Sequence, residues 1–155
     1  MRLGATPCNL GPVQSWPRSR TGAAAKVTPQ SAPTKENPIV AVVDDDPAVC
    51  NSLKFSLELE GFKVRIYGSG AALLRAGDLE GCNCFLIDQK MPGLSGLETI
   101  ATLRNRGFLA PAILIISEPS AVLSTRAAAA KVPIVEKPFL GNALVDRIRE
   151  ACANG

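Results

Sequence analysis

Three consecutive aspartates, Asp44, Asp45 and Asp46, follow the apolar run Ile39 to Val43, and a second apolar run, Cys84 to Ile87, ends on Asp88. A third ends in Val135, Glu136, Lys137 and Pro138. In a parallel sheet, side chains at the carboxyl ends of neighbouring strands converge on one crevice, which is where open α/β folds bind ligands. Carboxylates brought that close repel one another unless a hard cation sits between them, and an all-oxygen ligand set suits magnesium. The expectation is a small acidic metal pocket faced by one lysine. Asp46, directly before Pro47, reads as a helix cap rather than a ligand.

The elements that must position these residues alternate from Pro38 onward. Strands are expected at Ile39–Val43, Lys63–Tyr67, Cys84–Ile87, Ala112–Ile116 and Val132–Val135. Their uniformly apolar character suits strands buried on both faces. A helix opens at Asp46-Pro47, repeats Val49, Leu53 and Leu57 on one face and stops at Gly61. Further helices are expected at Ser69–Ala76, Ser95–Arg106, Pro119–Ala130 and Leu140–Cys152, the last amphipathic through Leu140, Leu144 and Ile148. Five β-α units over residues 38–155 predict a doubly wound α/β fold with right-handed crossovers. Ala127–Ala130 reads as helix filler, and Gly93 and Gly96 as turn and cap residues rather than a phosphate cradle.

Residues 1–37 differ in kind. They are rich in Pro, Ser, Thr, Gly and Ala without apolar periodicity, and read as a disordered extension. Five basic residues against Glu36 give this stretch +4, while the remainder carries −1, so the overall +3 resides in the extension. It lacks the amphipathic pattern of a transit peptide. Lysines and arginines are scattered among acids in the folded part, so direct DNA binding is not expected. No apolar run approaches the ~18 residues of a membrane span, and a soluble, cytoplasmic protein is expected. Five cysteines with no CxxC pair argue against a disulfide framework or thiolate metal site and fit a reducing compartment. The absence of histidine excludes Ser-His-Asp and Cys-His catalysis and any phosphohistidine on this chain. Any phosphoryl group must come from another protein.

Four segments together resemble the receiver domain of bacterial two-component response regulators. They are Val42-Val43-Asp44-Asp45-Asp46-Pro47, Ile87-Asp88-Gln89-Lys90-Met91-Pro92-Gly93 followed by Gly96, Ile115-Ile116-Ser117, and Glu136-Lys137-Pro138-Phe139. Each stands at the end of an expected strand, and their order matches the family. The core pattern is most similar to receivers of the nitrogen-fixation transcriptional type. The resemblance implies a flavodoxin-like five-stranded parallel sheet in the order 2-1-3-4-5. It also implies that Asp88 is the phosphoacceptor, that Asp44, Asp45, Asp88 and the backbone carbonyl of Lys90 hold Mg²⁺, and that Lys137 and Ser117 engage phosphoryl oxygens. Asp45 is the expected direct ligand, with Asp44 acting through water. Pro138 is expected to be cis. The implied partners are a sensor histidine kinase or a histidine phosphotransfer protein and an unknown output protein, with a homodimer possible. The chain ends at Gly155, just past the last helix, and reads as a stand-alone receiver that catalyses only its own phosphoryl transfer and dephosphorylation.

Three features depart from the family pattern. Glu118 follows Ser117 where a small residue is usual, Ile134 stands where an aromatic switch residue is frequent, and the segment from Ser117 to Lys137 is short, with Pro133 in the last expected strand. Glu118 adds like charge beside the pocket. Pro133 costs a ladder hydrogen bond and suits an edge strand. These departures fall on the fourth helix and fifth strand, so they leave open a binding module that works without phosphate. A haloacid-dehalogenase-like phosphatase, with Asp44 as nucleophile and Asp46 as acid, is a further alternative. It requires a later acidic pair that the sequence does not offer.

Overall fold

The computed structural model describes residues 36–155. The expected extension therefore lies, but for its last two residues, outside the described residues. Five strands form one parallel sheet in the order β2-β1-β3-β4-β5, the flavodoxin-like arrangement. The strands are β1 Ile39–Val43, β2 Lys63–Tyr67, β3 Cys82–Asp88, β4 Ala112–Ile116 and β5 Ile134–Glu136. The helices are α1 Pro47–Leu59, α2 Gly70–Arg75, α3 Gly96–Asn105, α4 Ala121–Ala129 and α5 Ala143–Ala153.

Alternation along the central strands builds two apolar layers. Ala41, Val43, Phe85, Ile87, Leu114 and Ile116 pack beneath α2, α3 and α4 with Leu73, Leu97, Leu103 and Ala127. Val40, Val42, Leu86, Ile113 and Ile115 pack beneath α1 and α5 with Leu53, Leu57, Leu144 and Ile148. Local signals start most helices. Asp46 accepts the Ala48 amide at 2.8 Å, with Pro47 in the first turn, so the cap reading of Asp46 holds. Ser95 and Glu98 form a reciprocal capping box at α3.

Several boundaries are corrected, and β3 runs Cys82–Asp88 rather than Cys84–Ile87 because Cys82 already pairs with Ile39 of β1. β5 starts at Ile134 rather than Val132, because the Val132 amide is spent on the Ala127 carbonyl at the end of α4. Pro133 thus precedes the strand, and its carbonyl accepts the Leu114 amide at 2.9 Å while its missing N–H costs no ladder bond. α5 starts at Ala143 rather than Leu140; Gly141, with φ of +61°, interrupts the chain before it, and Leu140 is exposed. β5 is the edge strand, as its proline suggested.

The backbone ladder runs one residue beyond several strands. Asp44 donates to the Tyr67 carbonyl at 3.2 Å, Gln89 to Ile115 at 2.8 Å and Lys137 to Ile116 at 2.8 Å. Residues just past the strand ends are therefore fixed as firmly as the strands. Gly96 serves the same edge. A Cβ there would lie 2.6 Å from Leu114 Cδ1 and 2.7 Å from the Asp88 carbonyl oxygen, so it is a close-packing glycine, not only a cap.

Gly96→Ala should destabilise the fold by about 1–3 kcal/mol in urea unfolding, the usual cost of overpacking against backbone. Gly77→Ala, with open space at the Cβ position, should not. A pH-dependent prediction comes from Tyr67, the single tyrosine, whose phenol donates to Asp78 Oδ1 at 3.0 Å. Burial first, then that bond and the Asp78 charge, push the phenol up to about 12. Its folded value lies above the unfolded one of about 10, so its contribution is present below pH ~10 and is lost as pH rises through ~12. Absorbance titration should place the native phenolate midpoint near 12, and Asp78→Ala should lower it.

Candidate functional site

Asp44 follows β1, Asp88 ends β3, Ser117 follows β4 and Lys137 follows β5, so four expected site residues stand on the carboxyl edge of neighbouring strands. Asp44 and Asp88 are almost fully buried. The Lys137 ammonium bridges them, 2.8 Å from Asp44 Oδ2 and 2.9 Å from Asp88 Oδ1. The remaining carboxylate oxygens are held by backbone: Asp44 Oδ1 accepts the Asp46 amide and Asp88 Oδ2 accepts the Lys90 amide, each at 2.9 Å. Each buried carboxylate thus has both oxygens partnered, as burial of charge requires.

The electrostatics follow from this packing. Burial, reinforced by the negative charge of Asp44, holds the Asp88 carboxyl above the ordinary carboxylate range despite Lys137 and the Lys90 amide. Burial works against the charged form of Lys137, but its bonds to Asp44 and Asp88 outweigh that and hold the ammonium above its usual value. Asp45 is exposed, yet its carboxylate lies within 4.8 Å of ligand oxygens of Asp44 and Asp88. The three carboxylates form an all-oxygen set that could hold a hard divalent cation.

Other expected residues take different places. Ser117 is exposed and lines a cleft of about 340 Å³ with Gln89, Lys90, Met91, Glu118 and Leu123, outside the hydrogen-bonded Asp44–Lys137–Asp88 cluster. Ile134 is half-buried and packs with the layer beneath α4. The Lys137–Pro138 peptide bond is cis, as the resemblance implies. Gly93 has φ of +80°, the turn role read from the sequence.

Two supporting residues escaped the sequence reading. Gln89 Oε1 accepts the Leu97 amide at 3.1 Å, tying the loop after Asp88 to the first turn of α3. Cys50 lies on the buried face of α1, and its thiol donates to the Asp44 carbonyl at 3.3 Å. The available signals were weak: an amide side chain beside Asp88, and a cysteine three residues before Leu53.

A family model described as the response regulator receiver domain matches residues 40–149. The chain belongs to this family. Among curated relatives, the receiver is 39% identical to the transcriptional regulatory protein FixJ of Azorhizobium caulinodans, over 71% of this chain and 53% of that protein. It is 35% identical to the C4-dicarboxylate transport transcriptional regulatory protein DctR of Rhodobacter capsulatus, over 74% of this chain and 59% of that one. The receiver therefore spans somewhat more than half the length of these relatives. Among solved structures it resembles the FixJ N-terminal fragment, with a TM-score of 0.70 and 29% identity over 77% of this chain and 96% of that one. It also resembles the response regulator TrrA of Thermotoga maritima, solved in complex with Mg²⁺-BeF, with a TM-score of 0.66 and 26% identity over 74% and 98% of the two chains. Among the described residues, no helix is long and apolar enough to cross a membrane.

Removing the bridging cation should expose what it offsets. Lys137→Met leaves two buried carboxylates facing each other, and should lower unfolding free energy by about 1–3 kcal/mol in chelator-treated buffer. Urea unfolding checks this, and a divalent cation should restore most of the loss.

Proposed function

We propose that this receiver accepts a phosphoryl group on Asp88 from a histidine kinase or histidine phosphotransfer protein of a two-component phosphorelay. The observation that carries the reading is the Asp44–Lys137–Asp88 bridge at the carboxyl edge of a receiver sheet. One oxygen of the Asp88 carboxylate attacks phosphorus, the donor's P–N bond breaks with its electron pair leaving on the imidazole nitrogen, and an acyl phosphate forms. The chain catalyses this transfer and the later hydrolysis on itself, and turns over no external substrate.

Mg²⁺ fits the site by the chemistry of its donors: Asp44, Asp45 and Asp88 offer clustered carboxylate oxygens. Lys90, whose amide donates to Asp88, would add its backbone carbonyl as the family resemblance implies. Bound there, the ion offsets repulsion among the carboxylates and the charge on the transferred group. The Mg²⁺-BeF complex of TrrA supports this assignment. Lys137 serves as the mobile charge, compensating Asp44 and Asp88 before transfer and pairing with a phosphoryl oxygen after it. The Lys90 amide orients the Asp88 carboxylate, and Ser117, at the mouth of the adjoining cleft, donates its hydroxyl to the phosphoryl group. Position 134, where the family resemblance leads one to expect an aromatic switch residue, holds Ile134. A second reading, an adaptor that binds its partner without phosphate, is favoured by Ile134 at that position and by Glu118 in the cleft with Ser117.

Incubation with Mg²⁺ and acetyl phosphate or phosphoramidate, followed by intact-mass spectrometry, separates the two. One added phosphoryl group that needs Mg²⁺ and is lost in Asp88→Ala is the expected result. No adduct, with beryllofluoride also failing to bind, would overturn the phosphoacceptor reading and favour the phosphate-independent adaptor.

A further inference from the structure

At the end of the sheet opposite Asp88, a local irregularity separates two neighbouring cysteines of β3 into different layers. Residues two apart on a regular strand share a face, so Cys82 and Cys84 would both point toward α1 and α5. The pairing of β1 with β3 instead steps from Ile39↔Cys82 to Val40↔Cys84, which leaves Asn83 as the extra residue of a bulge. The Asn83 side chain pins it, its Oδ1 accepting the Ile39 amide at 2.8 Å. Cys82 therefore joins the layer beneath α2 and α3, where Arg65 donates to its sulfur. Cys84 is fully buried in the layer beneath α1 and α5.

The last helix lays Cys152 on that same layer, its thiol 3.9 Å from the carbonyl of Asn83, the residue next to Cys84. Each thiol donates to a backbone carbonyl of β3, Cys152 to Asn83 and Cys84 to Phe85, both at 3.9 Å, so the two side chains flank one peptide segment. The neighbouring Cys152 thiol and burial raise the thiol of Cys84, while that of Cys152 is lowered by its neighbour Cys84. Cys152 is partly exposed and lines a cleft of about 520 Å³ with Glu36, Pro38, Phe62 and Arg149. Cys152 is thus reachable from solvent, while Cys84 is fully buried in the same layer.

We propose that Cys152 and Cys84 are a peroxide-sensitive pair that closes to an intramolecular disulfide between α5 and β3. The Cys152 thiolate attacks one oxygen of a hydroperoxide; the O–O bond breaks, the other oxygen leaves with its electron pair and takes a proton, and Cys152 becomes a sulfenic acid. The Cys84 thiol then attacks that sulfur, the S–OH bond breaks, and hydroxide leaves as water with the Cys84 proton. Two thiols lose two electrons and the peroxide gains them. Such reversible pairs are the form disulfides take in reducing compartments, so the pair is compatible with the absence of a disulfide framework.

The full chain is oxidised natively with hydrogen peroxide, its remaining thiols are alkylated, and it is cleaved with trypsin. The fragment 76–90 should be joined to the fragment 150–155, and a dithiol reductant should release it. Cys152→Ser and Cys84→Ala should each abolish the link, whereas Cys82→Ser, which shares the first fragment, and Cys8→Ser should keep it. Should Cys84→Ala fail to fold, the other variants and the wild-type fragments still decide. Sulfinic acid on Cys152 with Cys84 free, a link through Cys8, Cys50 or Cys82, or two unreacted thiols would overturn the proposal.

Discussion

Two carboxylates with almost no solvent contact face each other across the ends of β1 and β3, and the Lys137 ammonium between them supplies the opposite charge that their burial requires. Taking either charge out of water costs several kcal/mol, on the order of a small domain's whole margin of stability. The rest of the carboxyl edge is arranged to hold this triad. The ladder bonds past β1 and β5 fix Asp44 and Lys137, the Lys90 and Asp46 amides occupy the remaining carboxylate oxygens, and Gly96 lets α3 close on the Asp88 backbone.

The buried strands were readable because their signal is local and one-dimensional. The runs 39–43 and 112–116 are apolar, 63–67 alternates basic with apolar residues, all three are bounded by turn residues, and the structure keeps their bounds. Asp44, Asp88 and Lys137 were readable for a related reason: strand ends in a parallel sheet share an edge, so three ends locate one crevice. The failures came where a tertiary bond outranks composition. Val132 is apolar but its amide belongs to the end of α4, and Leu140 has helical spacing but stands ahead of the positive-φ Gly141.

The early start of β3 is a failure of the same kind with larger consequences. The expected strand began at Cys84, and nothing local says that Cys82 already pairs with β1 or that Asn83 is spent bonding the Ile39 amide. A bulge is a statement about two strands at once, and one strand's sequence carries half of it. The Gln89 and Lys90 contacts escaped for a comparable reason: both depend on how the loop after Asp88 folds back on α3 and on Asp88 itself.

β3 is the element that the two ends of the molecule share. Its carboxyl terminus presents Asp88 to oxygen chemistry, while Cys84, four residues earlier, meets sulfur from α5. At ~3.3 Å per residue these lie about 13 Å apart along one rigid strand buried on both faces. A central strand so enclosed transmits little by bending, because its neighbours on both sides are hydrogen-bonded and close-packed. Coupling between the ends would instead pass through α5, the helix that carries Cys152 at its end and packs Leu144 and Val145 near Phe139, two residues past Lys137. α5 lacks a side-chain cap at its start and follows a loop containing Gly141, so it is the burial of Leu144, Val145 and Ile148 that sets its position on the sheet.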